Sequence, residues 1–518
     1  MMRHTRAGLV LVVLMALAAT APSAQSPSQA RAARVETLKK AFPEIDRLFA
    51  AFALNNRVPG IAYGILIDGQ LVHSGFPGVR ERTGQTPITM DTVFRIASMT
   101  KSFTAVAILK LRDEGKLGLD DPAERYVPEL ASLKYPTTDS PKITIRHLLS
   151  HAEGFPEDNP WGDQQLAVTD DEFTALLKSG IPFSNAPGIA YEYSNYGFAI
   201  LGRIVSRVSG RPYADYVRSQ ILQPLGMSAT TLEPAAVPAD RLAHGYRWED
   251  AQWKEEPQLP DGAFGAMGGM LTSTRDLAKY VGFLMGAWPP RSDAETGPVR
   301  RASLREMQQP VRARPATASA GQNGVQLNVN AYGYGLRIRQ TCQHRHIVSH
   351  SGGLPGFGSQ MRWLPEEGVA FIAMGNLTYT GWDSVFDAVT AALGRTGALT
   401  RLQTEPSAAL LAAKSDVTQL VNQWDDGLAE RIAAVNLFLD ESKDRRQRHI
   451  TGLRSKVGVC KTDAPFDVEN ALRGTWTMQC ERGDLRVAIT LAPTMPPKVQ
   501  HLSVQPAPAA PPARVCGG

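Results

Sequence analysis

Phe94-Arg95-Ile96-Ala97-Ser98-Met99-Thr100-Lys101-Ser102-Phe103 is the stretch on which the reading of this chain turns. Ser98 opens a run that continues through Val106, Ile108, Leu109 and Leu111 and stops at Gly115, a helical pattern with a glycine terminator. A serine and a lysine three positions later fall on one helical face. The amine then reaches the hydroxyl, and the helix N-terminus favours negative charge developing there. A lysine buried in such a setting loses its proton near neutral pH and serves as a base. On its own the motif is weak, because a chain of this length holds on the order of one or two Ser-x-x-Lys matches by chance. A helix-capping serine beside a surface lysine would look the same.

Two further stretches give it company. Tyr191-Glu192-Tyr193-Ser194-Asn195-Tyr196-Gly197 contains a Tyr-x-Asn, whose phenol, if near a lysine, can act as general acid or base. The Asn195 amide can hold a substrate carbonyl. Val348-Ser349-His350-Ser351-Gly352-Gly353 ends a β-like run with glycines where a ligand's backbone must approach closely.

In this order the three elements resemble the serine β-lactamase and penicillin-binding protein superfamily, with Ser-x-x-Lys, Tyr-x-Asn and Lys/His-x-Gly. The class C-like branch, with its D-aminopeptidases, D-Ala-D-Ala carboxypeptidases and family VIII carboxylesterases, is the most similar. Supporting stretches are Leu148-Leu149-Ser150-His151-Ala152-Glu153-Gly154-Phe155, Gly268-Gly269-Met270-Leu271-Thr272-Ser273-Thr274-Arg275-Asp276-Leu277 and Gly352-Gly353-Leu354-Pro355-Gly356. The resemblance implies an antiparallel sheet flanked by helices with a helical insertion. It makes Ser98 the acylated nucleophile, Lys101 its activator and Tyr193 the proton relay. Asn195 and His350 would face the substrate, and the backbone N–H groups of Ser98 and Gly353 would form the oxyanion hole beside Gly352. Fixed donors of that kind typically contribute about 3–4 kcal/mol apiece. One departure has consequences: penicillin hydrolases and transpeptidases usually carry Lys where this chain has His350, and histidine is mostly neutral at pH 7. The resemblance therefore favours peptidase or esterase chemistry over efficient β-lactam hydrolysis, with no metal or organic cofactor.

Outward from these motifs, the pattern is mixed α and β. Residues 35–55 read as one amphipathic helix through Leu38, Phe42, Ile45, Leu48, Phe49 and Phe52. β-like runs at 60–67 and 71–75 flank Asp68-Gly69, a strong hairpin signal. Residues 100–290 alternate helices with Gly/Pro-rich loops, and Ser273 caps a helix over 273–285. Residues 311–330 read as a surface loop. Runs at 357–363 and 369–375 form a second hairpin across Pro365-Glu366-Glu367-Gly368, followed by a helix over 381–393. Strands at both ends with helices between suggest one sheet closed by distant parts of the chain. The hydrolase domain is expected over 33–397 and a small separate α+β domain over 405–505, with helices in 408–457 and strands near 472–479, 485–491 and 499–504. The Pro/Ala-rich tail, 506–518, should stay extended.

The chain's 518 residues allow two to four domains, and 43% hydrophobic with 20% charged residues is ordinary globular usage. A net charge of +5, with no basic run longer than Arg445-Arg446, offers no nucleic-acid footprint. The expected partner is a small-molecule or peptide substrate.

Residues 1–24 carry a basic start at Arg3 and Arg6, an apolar stretch from Ala7 to Ala19 and small residues up to Ala24, the three parts of an export signal. The apolar stretch is shorter than the roughly 20 residues of a spanning helix, so no membrane anchor is expected after cleavage. Export places the protein in the periplasm or outside the cell, where cysteines pair. Cys460 and Cys480 are the first choice, with Cys342 and Cys516 as a second pair or free, since four cysteines allow three connectivities.

Other readings carry less. Cys342, His344, His346 and His350 would share one face of a strand and could be taken for a metal set, but no second cluster completes it. His73, His151 and His244 read as structural or surface groups. No Gly-x-Ser-x-Gly elbow occurs. A sensor that acylates without turnover would keep the same residues, and no catalytic set is visible past residue 400.

Overall fold

The computed structural model describes residues 27–508, apart from 322–323 and 403. The expected export signal, the Pro/Ala tail beyond residue 508 and Cys516 lie outside the described residues.

The hairpins determine the centre of the fold. Ile61–Ile67 pairs with Gln70–Gly75 across Asp68 and Gly69, whose φ values of 51° and 78° are the left-handed pair a two-residue hairpin turn needs. Phe357–Leu364 pairs with Val369–Gly375. Ile61–Ile67 then pairs antiparallel with Val369–Gly375, which closes one sheet from the two ends of the region. The path runs on from Phe357–Leu364 through Ile347–Leu354 and Arg337–Gln340 to Gly324–Tyr332 and Thr317–Gly321.

Both faces of this sheet are covered, and the period-two alternation divides its residues between two cores. Ile61, Tyr63, Ile65, Phe371 and Ala373 face one apolar cluster, under helices Phe42–Asn55 and Asp383–Arg395. Ala62, Leu66, Ala370, Ile372 and Met374 face the other, which includes Phe103, Val106 and Ile108 of helix Thr100–Asp113. That helix is buried on every side from Thr100 to Leu109, as expected of a helix in the middle of a domain. Its hydroxyls are satisfied locally: Thr100 Oγ1 donates to Ala97 O, and Ser102 Oγ to Met99 O.

Several expectations need correction. The helix over 35–55 is two helices, Pro27–Lys39 and Phe42–Asn55. Pro43 explains the break: inside a continuous helix its ring would clash with the preceding turn, whereas at the start of a new helix it is tolerated. Residues 311–330 are not a loop but hold Arg312–Ala313 and the edge hairpin Thr317–Gly321 with Gly324–Tyr332. Val325, Leu327, Val329 and Ala331 do alternate with Gln326, Asn328 and Asn330, but the strand lies near the sheet edge and leaves Leu327 and Val329 half exposed, so no core pattern marks it. The strand that would align Cys342, His344 and His346 stops at Gln340, and these residues lie in the connection to Ile347–Leu354.

Residues 408–506 form four helices, one a single turn, and a four-stranded antiparallel sheet. The strand Phe466–Asn470 was not anticipated; it is an edge strand with mostly exposed residues. Leu410, Val417, Ile450, Trp476, Val487 and Val504 belong to an apolar cluster of this region's own. Cys460 and Cys480 are disulfide-bonded beside it, as expected. Closing a loop of 20 residues restricts the unfolded chain by roughly 3 kcal/mol. Replacing both cysteines by serine is expected to lower the thermal unfolding transition of this region by several degrees while the transition of the preceding region stays in place. Calorimetry of the two proteins checks it.

Candidate active site

Ser98 sits in a single 3-10 turn, Ala97–Met99, that leads directly into helix Thr100–Asp113. The turn is held at a forced angle: Ala97 has φ 47°, a left-handed value uncommon for a residue with a side chain. His151 (φ 54°) and Tyr379 (φ 51°) share this feature, and all three border the same site. Such backbone strain costs on the order of 1–3 kcal/mol each and persists where surrounding structure enforces it. Around Ala97 the enforcement is visible. Ile96 N donates to Met270 O, and Ser359 Oγ donates to Ile96 O at 2.8 Å. Gly352 passes so close that a Cβ there would lie 2.1 Å from Ile96 O, so the strand beside Ser98 requires glycine at this point.

Lys101 lies one helical turn on, fully buried. Its Nζ is 3.1 Å from Ser98 Oγ, 2.6 Å from Asn195 Oδ1 and 2.9 Å from Met267 O. Burial pushes the Lys101 ammonium down to about 7, against the opposing pull of the Asp163 and Asp158 charges. Two of the three neighbours are carbonyl oxygens that can only accept. A neutral amine therefore spends both N–H bonds on Asn195 and Met267, and its lone pair is left for the Ser98 hydroxyl.

The tyrosine loop is fixed from below. Ser194 caps helix Asn195–Ser209, its Oγ accepting from Gly197 N. Asp158 accepts from Asn195 N at 2.6 Å and Tyr196 N at 2.8 Å, an anion at a helix N-terminus. His151 Nδ1 accepts from Ser194 N at 3.1 Å, and its ring packs 4.4 Å from that of Tyr193. Burial, then the Lys101 charge, holds His151 well below the usual histidine range, so it stays neutral. Lys101 Nζ lies 4.8 Å from the Tyr193 ring centre. Burial raises the Tyr193 phenol above its ordinary value, against a hydrogen bond with Ser98 that lowers it, so the resting phenol keeps its proton. Asn195 is turned inward: its Oδ1 holds Lys101 and its Nδ2 donates to Asn159.

The strand side holds the remaining residues. His350 is fully buried. Its Nδ1 lies 2.6 Å from Ser351 O, which can only accept, so Nδ1 carries the proton and Nε2 accepts from the Tyr332 hydroxyl at 2.9 Å. Desolvation, then the Arg337 and Lys101 charges, holds His350 well below its usual range. Register places Arg362, engaged by Asp383 and Asp387, opposite Ser349 on one side, and on the other it places Arg337. Its Nε is buried without a partner, and it makes no ion pair among the described residues. Gly353 lies under the Tyr379 ring, with 2.6 Å between a notional Cβ and Tyr379 Cδ1. Tyr379 Oη in turn donates to Asp163 Oδ2 at 3.0 Å.

Ser98, Lys101, Tyr193 and Asn195 thus meet directly, while His350 approaches through Tyr332 and Gly352 and Gly353 form the adjoining strand. His151 was assigned a structural or surface place, yet it supports the tyrosine loop. Asp158, Asp163, Met267, Tyr332, Arg337 and Tyr379 were not anticipated. Met267 sits one residue before the glycines already singled out, but Arg337 has no local signal, since only strand register brings it here. Glu153 is also buried, with neither carboxyl oxygen partnered, and burial raises it well above the carboxylate range. The supposed metal set is dispersed: His344 Nδ1 meets Glu367, His346 Nε2 meets Gln308 O, and Cys342 is disulfide-bonded.

The Beta-lactamase family model matches residues 45–395. "Penicillin-binding protein 4*" of Bacillus subtilis is 29% identical over 303 residues, 56% of this chain and 62% of that protein. "Beta-lactamase-like protein 2" of Dictyostelium discoideum is 31% identical over 268 residues, 50% of this chain and 48% of its own length. The chain therefore covers less than two thirds of either relative. Among solved structures, the octameric penicillin-binding protein homologue from Pyrococcus abyssi has a TM-score of 0.58 at 23% identity, covering 87% of this chain and 96% of that one. A class C beta-lactamase has a TM-score of 0.53 at 20% identity, covering 69% of this chain and 96% of that one. These two share the fold. The family match runs from inside the helix before the first strand of the sheet to the end of the helix after the last, and takes in every residue gathered around Ser98, so the chain belongs to the Beta-lactamase family, with the serine β-lactamases and penicillin-binding proteins.

Proposed function

We propose that this protein is an exported serine hydrolase that works through an acyl-enzyme at Ser98, acting on peptide, amide or ester bonds of small substrates such as D-amino-acid peptides and carboxylic esters. The observation that carries this reading is the surround of Lys101 Nζ, in which two carbonyl acceptors leave the amine's lone pair for Ser98. Ser98 Oγ bonds to the substrate carbonyl carbon as its proton passes to Lys101. The carbonyl oxygen becomes the oxyanion, held by the N–H groups of Ser98 and Gly353. The carbon–nitrogen or carbon–oxygen bond then breaks as Tyr193 protonates the leaving group and takes the Lys101 proton in exchange. Water reverses these steps to release the acid and restore Ser98. The Cys460–Cys480 disulfide supports export, and no described helix is long and apolar enough to cross a membrane.

Arg337 bears on the substrate. A half-buried guanidinium with no counter-ion among the described residues, beside a neutral His350, suits a substrate carboxylate. That feature is common to peptides with a free C-terminus and to β-lactams, so β-lactamase activity is the second reading, and a binding protein that deacylates slowly is its limiting case.

Brief exposure to benzylpenicillin, followed by intact-mass measurement over time, tests the nucleophile. A mass increase on the parent and none on Ser98→Ala is expected; a persistent adduct marks slow deacylation, and rapid drug loss without one marks a β-lactamase. An adduct on Ser98→Ala would contradict the assignment. Arg337→Ala is expected to weaken processing of carboxylated substrates roughly ten- to hundredfold, the equivalent of one charge-assisted contact. An uncharged p-nitrophenyl ester should be little affected, and steady-state kinetics on both checks it.

A further inference from the structure

Asp163 is a carboxylate that the chemistry above does not use. It follows Gly162, whose Cα lies against the Asn195 side chain, with 2.7 Å from a notional Cβ to Asn195 Nδ2. Asn195 in turn holds Lys101. Asp163 is 1% exposed; among the described residues its Oδ1 has no hydrogen-bond partner, and its Oδ2 accepts from the Tyr379 hydroxyl. Asp158, the other nearby carboxylate, is already satisfied by Asn195 N and Tyr196 N. Tyr379 comes from the opposite side of the site, on a left-handed backbone and with its ring over Gly353. One hydrogen bond therefore ties the strand carrying the oxyanion glycine to the helical side carrying the base.

We propose that Asp163, held by Tyr379, is a positioning residue that supplies the counter-charge for the Lys101 ammonium formed in each half of the reaction. The inference rests on Lys101 as the base. A fully buried ammonium needs an opposite charge close by, since removing it from water is otherwise costly. The charges around Lys101 are few: Asp163 and Asp158 favour its protonation and Arg337 opposes it, while His151 and His350 are neutral and Tyr193 is protonated. Asp163 is raised to about 6, by desolvation first and by the Asp158 and Glu157 charges, against the lowering by Lys101 and by the Tyr379 hydrogen bond. Loss of the Tyr379 hydroxyl thus neutralises Asp163 at a higher pH and weakens the counter-charge.

The test is a titration of Lys101 by NMR in protein labelled with 13Cε-lysine, with Lys101→Arg identifying the signal. Asp163→Asn is expected to move the midpoint down by about one pH unit, a tenfold shift in the proportion of ammonium at a given pH. Tyr379→Phe should move it in the same direction by less, and Asp163→Glu should restore it. Identical midpoints in the parent, Asp163→Asn and Tyr379→Phe would overturn the proposal. If Asp163→Asn does not fold, Tyr379→Phe alone decides. The titration needs no substrate, so a parent that never acylates at Ser98 would defeat the functional reading while this experiment still returned its answer.

Discussion

A fully buried amine, held between two carbonyl oxygens and the Ser98 hydroxyl, is the constraint on which the rest of this site depends. Lys101 has no access to water, and its three neighbours are two carbonyl oxygens and the Ser98 hydroxyl. In water an ammonium would be solvated on every side; here its charge is opposed by burial. Each contact comes from a different part of the chain: the turn before the helix, the tyrosine loop and the segment around Met267. The fold serves to hold these three segments against one nitrogen atom.

That requirement explains features which look uneconomical in isolation. A left-handed Ala97 and a strand reduced to glycine at Gly352 each cost stability. Together they press the Ser98 turn between the sheet and the helical region, where the Ser98 hydroxyl and the Lys101 amine have little freedom. Keeping reacting groups oriented in this way removes entropy from the barrier before the substrate arrives. Neutral His350 and His151, each fixed by hydrogen bonds from its surroundings, extend the same logic: they shape the site without adding positive charge to that of Lys101 and Arg337.

Much of this was legible in the sequence where the physics is local. Asp68-Gly69 announces its hairpin because both residues tolerate left-handed backbone, and Ser98 with Lys101 announces a shared face because three residues make nearly one helical turn. Ser273 is visible as a cap for the same reason. What escaped depends on distant partners. The edge hairpin at Gly324–Tyr332 buries too little to show a core pattern, and Pro43 divides a run whose apolar spacing alone reads as continuous. Arg337 and Tyr379 reach the site only through strand register and a loop crossing, and Asp163 only through what packs against it. His350 was legible as a position but not as a state, since its neutrality follows from Tyr332 and Ser351 O rather than from its own identity.

The most direct test of the account is the rate of Ser98 acylation by benzylpenicillin from pH 5 to 10, followed by mass or by stopped-flow. If neutral Lys101 is the base, protonation disables it: the rate should fall tenfold per pH unit below about 7, where the buried ammonium forms, and level off above. A rate that keeps climbing toward pH 10, as for a lysine with its ordinary proton affinity, would contradict the account, as would one independent of pH.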